Sequence, residues 1–220
     1  MVEHKITALK VQKKNPNRVN VYLDGEYAFG LARIVAAWLS IGQRINDEQI
    51  DRLVSQDVSE VAFQTALTQL SYRARSEAEL RKKLAGKGFS ETVISAILDR
   101  LKANGMVNDT QFAQAWVENQ STFRPRGRRL LKLELRLKGL GDETIQEALD
   151  EAEDEEALAY QAALRPAKRY ADLEWADFRL KVSQFLTRRG FSYETIAPIV
   201  SSLWAENHLT DIENGRRGLE

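Results

Sequence analysis

Seven cations crowd one fifteen-residue stretch of this chain. Arg124, Arg126, Arg128, Arg129, Lys132, Arg136 and Lys138 are opposed there only by Glu134, and they surround Pro125 and Gly127, which mark a helix start. A second set, Arg73, Arg75, Arg81, Lys82, Lys83 and Lys87, holds much the same places earlier in the chain. Guanidinium groups grip phosphate or carboxylate oxygens in pairs, and the free N–H groups at a helix start attract the same anions, so the chemistry on offer is binding. For any one of these residues the plainer role is a solvated head on a stem lying along the surface. Clustering is what favours a binding face. Reversing Arg124, Arg126, Arg128 and Arg129 to Glu is expected to spare the fold, because little core packing belongs at a helix start.

Bond-making chemistry has no comparable candidates. There is no glycine-rich phosphate loop ending in Lys-Ser/Thr, no elbow serine and no histidine-rich metal pattern; the only histidines, His4 and His208, lie near the two ends. Zero cysteines exclude disulfides and thiolate chemistry and suit a reducing compartment. No catalytic residue, metal or cofactor is expected, and the chain is read as a non-enzyme. Asp150, Glu153 and Asp154 share a helical face, but such an acidic run is ordinarily a solvated helix or linker. Trp116 shares a face with Phe112 and Ala113, a spacing that predicts core packing rather than ligand stacking. The net charge of zero conceals segregation: residues 71 to 140 carry 15 Lys/Arg against 7 Asp/Glu, and residues 141 to 160 carry nine acids and no base.

A fixed interval organises the elements that must position these cations. Gly88, Gly139 and Gly190 are 51 residues apart twice over (139 − 88 and 190 − 139). Over residues 79 to 101 a shift of 51 retains seven identities, including Leu80, Leu84, Gly88 and Ile94, where chance gives roughly one or two. Each copy reads as a helix stop followed by a helix start. A basic residue (Lys87, Lys138, Arg189) suits the negative end of a helix, the glycine closes it in the left-handed conformation, and the apolar residue after it packs back. Ser90, Asp142 and Ser192 are then placed to cap the next helix, with Glu91, Glu143 or Glu194 in its first turn. One helical pair cannot bury its apolar face alone, so the copies are expected to stack. Leu131 to Lys138 alternates with period two and alone would suggest a strand; the repeat assigns it to a helix, which its apolar excess would make broadly buried.

Ahead of the repeats, Ile6 to Gln12, Val19 to Leu23 and Tyr27 to Phe29 read as three short strands joined through Asn15-Pro16-Asn17 and Asp24-Gly25, the latter a strong hairpin signal. Leu31 to Leu39 suggests a helix, and this meander is expected to lean on it or on the first repeat. Asn46 with Gln49 and Asp57 with Glu60 look like two capping boxes, the second opening a helix with Val58, Val61, Ala62, Ala66, Leu67 and Leu70 on its apolar face. Arg75-Ser76, Asn104-Gly105 and Asn108 with Gln111 mark later boundaries, and the tail after Asn207 is expected to fray. The fold class is therefore mainly α, three tandem three-helix repeats in an elongated array behind a small β-meander. Its expected divisions are 1–57 for the meander and connector, then 58–107, 108–156 and 157–220. No apolar run approaches the roughly 18 residues of a membrane span and no signal-peptide core follows Met1, which predicts a cytoplasmic chain.

The residues assembled so far resemble the RecX family, bacterial regulators of the RecA recombinase. The resemblance is carried by Arg73-Ala-Arg-Ser-Glu-Ala-Glu-Leu80, Lys87-Gly-Phe89, Asn108-Asp109 through Phe112-Ala113 to Trp116, and Pro125-Arg-Gly127 leading to Leu135 and Lys138-Gly139. Lys13-Lys-Asn15 and Tyr22-Leu-Asp-Gly-Glu-Tyr-Ala-Phe-Gly30 are similar to the extension of longer members. It implies a curved array of the three units, a monomer that binds the RecA filament on single-stranded DNA, touches the DNA secondarily, and inhibits ATP-driven strand exchange by blocking filament growth or promoting disassembly. It supplies no catalytic residues. The alternative of another class is a DNA-binding protein whose three-helix units act as helix-turn-helix readers, yet Ser90 to Leu101 and Asp142 to Asp150 are apolar and acidic where such readers need Arg, Asn and Gln.

Overall fold

Two turns and the alternation around them build the first layer. The computed structural model describes the backbone of residues 2–217 and the side chains of residues 2–208. Strands β1 (Glu3–Val11), β2 (Arg18–Leu23) and β3 (Glu26–Ala32) form the expected antiparallel meander, and Asp24 and Gly25 take φ of 51° and 99°, the left-handed pair a tight hairpin requires. A fourth strand, β4 (Arg44–Asn46), pairs with β1 and makes the order β3-β2-β1-β4. Three strands were expected; the fourth is three residues long with only Ile45 apolar, too short to show alternation. The helix anticipated from Leu31 to Leu39 shrinks to α1 (Arg33–Ala36), because Leu31 is the last buried residue of β3.

Helix α2 (Asp47–Tyr72) starts at Asn46 in a complete capping box with Gln49. Asp57 does not start a helix: it lies inside α2, is buried, and its carboxylate accepts hydrogen bonds from the Ala32 N–H and from Arg18 Nη2 at 2.8 Å. A capping pair seen in sequence is here a tie between helix and sheet. The first half of α2 covers the sheet through Leu53, beside Val19, Val21, Leu31 and Ala36. Its second half buries Ala62, Phe63 and Ala66 among the first repeat's residues, whereas Val58, expected on that face, stays 39% exposed.

Eight further helices follow: α3 (Glu77–Ala85), α4 (Glu91–Ala103), α5 (Asp109–Phe123), α6 (Arg128–Leu137), α7 (Asp142–Asp150), α8 (Glu155–Arg169), α9 (Trp175–Arg188) and α10 (Tyr193–Arg217). The fold is mostly helical, three three-helix sets behind a small sheet. At each 51-residue interval the same corner recurs, with φ of 87°, 82° and 87° at Gly88, Gly139 and Gly190. The next N–H reaches back five residues each time: Phe89 to Leu84 at 3.4 Å, Leu140 to Leu135 at 3.2 Å and Phe191 to Leu186 at 3.2 Å. Ser90 and Ser192 cap as expected, but the cap of α7 is Gly141 and Asp142 falls in the first turn. The segment from Leu131 is helical; Leu131 and Leu135 are buried while Leu133 and Leu137 are 54% and 80% exposed, so α6 is amphipathic and not broadly buried. Past Asn207, where fraying was expected, α10 continues to Arg217, and residues 218–220 lie outside the described residues.

The chain divides into two compact units, Met1–Val107 and Asn108–Glu220. The first contains the sheet and the α2–α4 core; the second contains two cores, one around Leu131, Leu135 and Ile145 and one around Phe178, Val182 and Leu186. Within the second unit the repeats meet backbone to backbone. The Gly127 N–H donates to the Arg189 carbonyl at 2.9 Å, and a Cβ on Gly127 would stand 2.3 Å from the Gly190 carbonyl oxygen.

Candidate partner-binding faces

Several of the clustered cations are committed to the fold. In the first unit Arg73, which caps α2, is held by both Glu79 oxygens at 2.8 and 3.1 Å, and that hydrogen-bonded pairing keeps its guanidinium above its usual pKa. Arg75 donates Nε to the Gln69 carbonyl at 3.0 Å near the end of α2. Arg81 contacts Glu91 and donates to Glu77 at 3.0 Å. Burial works to raise the Glu77 carboxyl, but hydrogen bonds from Arg81 and Lys102 outweigh it and leave it below its ordinary value. Lys82, Lys83 and Lys87 are exposed and have no side-chain partner among the described residues.

The second unit divides in the same way. Glu134, the lone acid of the stretch, accepts from Trp116 Nε1 at 3.2 Å and contacts the half-buried Arg126. Burial, then the nearby Arg189 and Arg124 charges, push the Arg126 pKa down, although a guanidinium stays charged through any working pH. Arg136 donates to Asp142 at 2.7 Å, and Arg128 lies 3.7 Å from Asp150. Lys138 sits 4.0 Å above the Trp116 ring, which stacks on Phe112, so Trp116 packs against its own repeat as its spacing predicted. Arg124, Arg129 and Lys132 keep side chains without a partner among the described residues.

Two expectations need correction. The start of α6 is not an open anion site, because the Arg128 N–H already donates to the Glu155 carboxylate at 2.9 Å. Nor would reversing all four arginines spare the fold, since Arg126 and Arg128 would set a carboxylate against Glu134 and Asp150. The acidic run is absorbed similarly: Asp154 caps α8 and Glu155 closes α6, and no cluster able to hold a metal ion occurs among the described residues. Sequence reasoning missed the third repeat, whose Arg165, Arg169, Lys181, Arg188 and Arg189 line one groove with Arg124. Their signal was present in the pairs Lys168-Arg169 and Arg188-Arg189, which lie beyond the basic stretch of residues 71 to 140.

Tandem three-helix units, each turned at the same glycine corner between its second and third helices, define a helical-repeat protein. Four family models match in succession: the RecX N-terminal domain at 4–46 and the first, second and third RecX three-helix domains at 62–101, 108–149 and 153–200. The chain belongs to the RecX family of regulatory proteins. It is 34% identical over 206 residues to the Bacillus licheniformis regulatory protein RecX, covering 92% of this chain and 78% of that one. The Clostridioides difficile protein of the same name is 30% identical over 203 residues, covering 90% and 95%. A crystal structure of regulatory protein RecX superposes with a TM-score of 0.71 at 30% identity, over 89% of this chain and 98% of that chain. RecX from Lactobacillus salivarius gives 0.62 at 29%, over 67% and 97%. No described helix is long and apolar enough to cross a membrane.

Proposed function

We propose that this chain docks, as a monomer without a cofactor, on the RecA filament that coats single-stranded DNA in the cytoplasm. There it lowers the recombinase's ATP-driven strand exchange by blocking filament growth or promoting disassembly. The observation that carries this is the ordered succession of four family models between residue 4 and residue 200. Partnerless cations support it further: Lys82, Lys83 and Lys87 on the first repeat, and Arg124, Arg129 and Lys132 on the second, are the members of the two clusters free to meet acidic groups or phosphates. The helix-turn-helix alternative is disfavoured by α7, whose exposed side is Asp142, Glu143, Gln146, Glu147 and Asp150, a surface that repels a phosphate backbone. The chain is expected to hydrolyse neither ATP nor DNA. Co-sedimentation with RecA filaments, with and without single-stranded DNA, tests the docking, and RecA's DNA-dependent ATPase should fall at substoichiometric protein. An ATPase that stays intact at equimolar protein would count decisively against this function.

A further inference from the structure

In the second unit an open groove of about 600 Å³ runs between the end of α5 and helices α8 and α9. Six of its lining residues, Arg124, Arg165, Arg169, Lys181, Arg188 and Arg189, are cations, and none is Asp or Glu. Among the described residues none of the six has an ion-pair partner. Arg189 is anchored, with Nη1 on the Pro125 carbonyl at 3.3 Å and its guanidinium over the Phe185 ring; the other five are exposed. Six like charges gathered without a counter-ion raise one another's energy, and only an anion relieves that. The nearby Arg126, depressed partly by Arg189 and Arg124, senses the same field.

Rings alternate with the cations. Phe123 is 77% exposed at the groove's edge, beside Arg124, and the Tyr170 ring is flanked by Arg169 and Lys181, each 5.7 Å from its centre. An acidic peptide would satisfy the guanidiniums but has no use for an uncovered ring between them. Phosphates linked through flat bases use both, because charge tracks the backbone and each ring offers a face to stack on. We infer that this groove binds a short run of single-stranded nucleic acid, its phosphates on Arg124, Arg165, Arg169 and Arg188 and a base on Phe123. The site is distinct from most of the clusters singled out above and needs no recombinase, so it stands or falls separately from the proposed regulation.

The test is equilibrium binding of a fluorescent oligothymidylate to the full chain. Arg165→Glu, Arg169→Glu and Arg188→Glu together should weaken binding about 100-fold or more at about 50 mM salt, and flatten the log–log salt slope by about 2, near 0.7 per lost phosphate contact. The charge-matched variant Lys13→Glu, Lys14→Glu, Arg33→Glu, on the sheet unit, should lose far less. Phe123→Ala should cost roughly ten-fold with the oligothymidylate and nothing with an abasic strand of equal length, which separates stacking from charge. Circular dichroism checks the fold of each variant, and Arg→Gln at the same three positions repeats the test should the reversal unfold. Equal losses in the groove and control variants would reduce the binding to diffuse attraction and overturn the inference. So would tighter binding of a duplex or of polyglutamate than of the single strand.

Discussion

Gly127 and Gly141 form a matched pair. Each is the residue before a helix, with φ −72° at both and ψ of 156° and 154°, and neither has a side chain to cap with. A Cβ added at Gly141 meets nothing within 4 Å, whereas at Gly127 it would stand 2.3 Å from the Gly190 oxygen, 2.4 Å from its carbonyl carbon and 2.5 Å from Phe191 N. All three are backbone atoms beside a left-handed glycine, so they cannot swing aside as a side-chain tip would. Overpacking of this kind costs about 1–3 kcal/mol, and parting the segments sacrifices the Gly127 to Arg189 hydrogen bond, worth about 1 kcal/mol more. Propensity changes at the cap are common to both variants and cancel. Gly127→Ala should therefore destabilise the second unit by about 3 kcal/mol and Gly141→Ala by under about 1 kcal/mol. In urea that is a midpoint lower by about 1 to 2 M for the first variant, with little change for the second. Tryptophan fluorescence reports this unit selectively, because Trp116, Trp175 and Trp204 pack within it while Trp38, on the other unit, is 89% exposed. Equal midpoint shifts in the two variants would refute the backbone contact between the repeats.

Asp57→Ala should destabilise the first unit by about 3 kcal/mol, since it strands the Ala32 N–H and leaves the Arg18 guanidinium with the Gly30 carbonyl but no counter-charge; hydrogen exchange at Ala32 reads the loss directly. The His4 latch should make that unit's stability depend on pH in two windows. The hydrogen bond with Asp24 is the largest influence and raises His4 above its ordinary 6.5; desolvation opposes it next, and the Asp24 and Asp47 charges then add to the rise. That contribution is full below 6.5 and fades as pH rises through the raised value. Asp24 is held below 3.8 by the Lys5 N–H first and His4 second, so its contribution fades as pH falls through the lowered value. A His4→Gln variant should lose the upper slope in thermal melts taken across pH, and an unchanged slope would remove His4 from the account.

What the sequence disclosed follows from which forces are local. Glycine corners, serine caps and the Asp-Gly hairpin depend on a few consecutive residues, and they stand where the 51-residue interval and the turn chemistry put them. Misjudged features rest on partners remote in sequence. Asp57 looked like a cap because its true partners, Arg18 and Ala32, are 39 and 25 residues away. Arg126 and Arg128 looked free because Glu134 and Asp150 reach them only after folding, and Glu155 closes the start of α6 across 27 residues. The groove was overlooked for a similar reason: its cations come from three separate stretches, none dense enough alone to stand out.

Helix α2 has a mechanical consequence. Its 26 residues make a rod of about 39 Å, with one end embedded in the sheet's core and the other in the first repeat's. A hydrogen-bonded helix resists twist and bend far better than a linker, so load applied to the sheet reaches Arg73 and the Lys82, Lys83, Lys87 surface as torque instead of dissipating in a hinge. The Arg18–Asp57 tie, part way along the rod, acts as the clamp that sets its rotational phase. The N-terminal sheet is thus geared to the repeat, and an object gripping one turns the other.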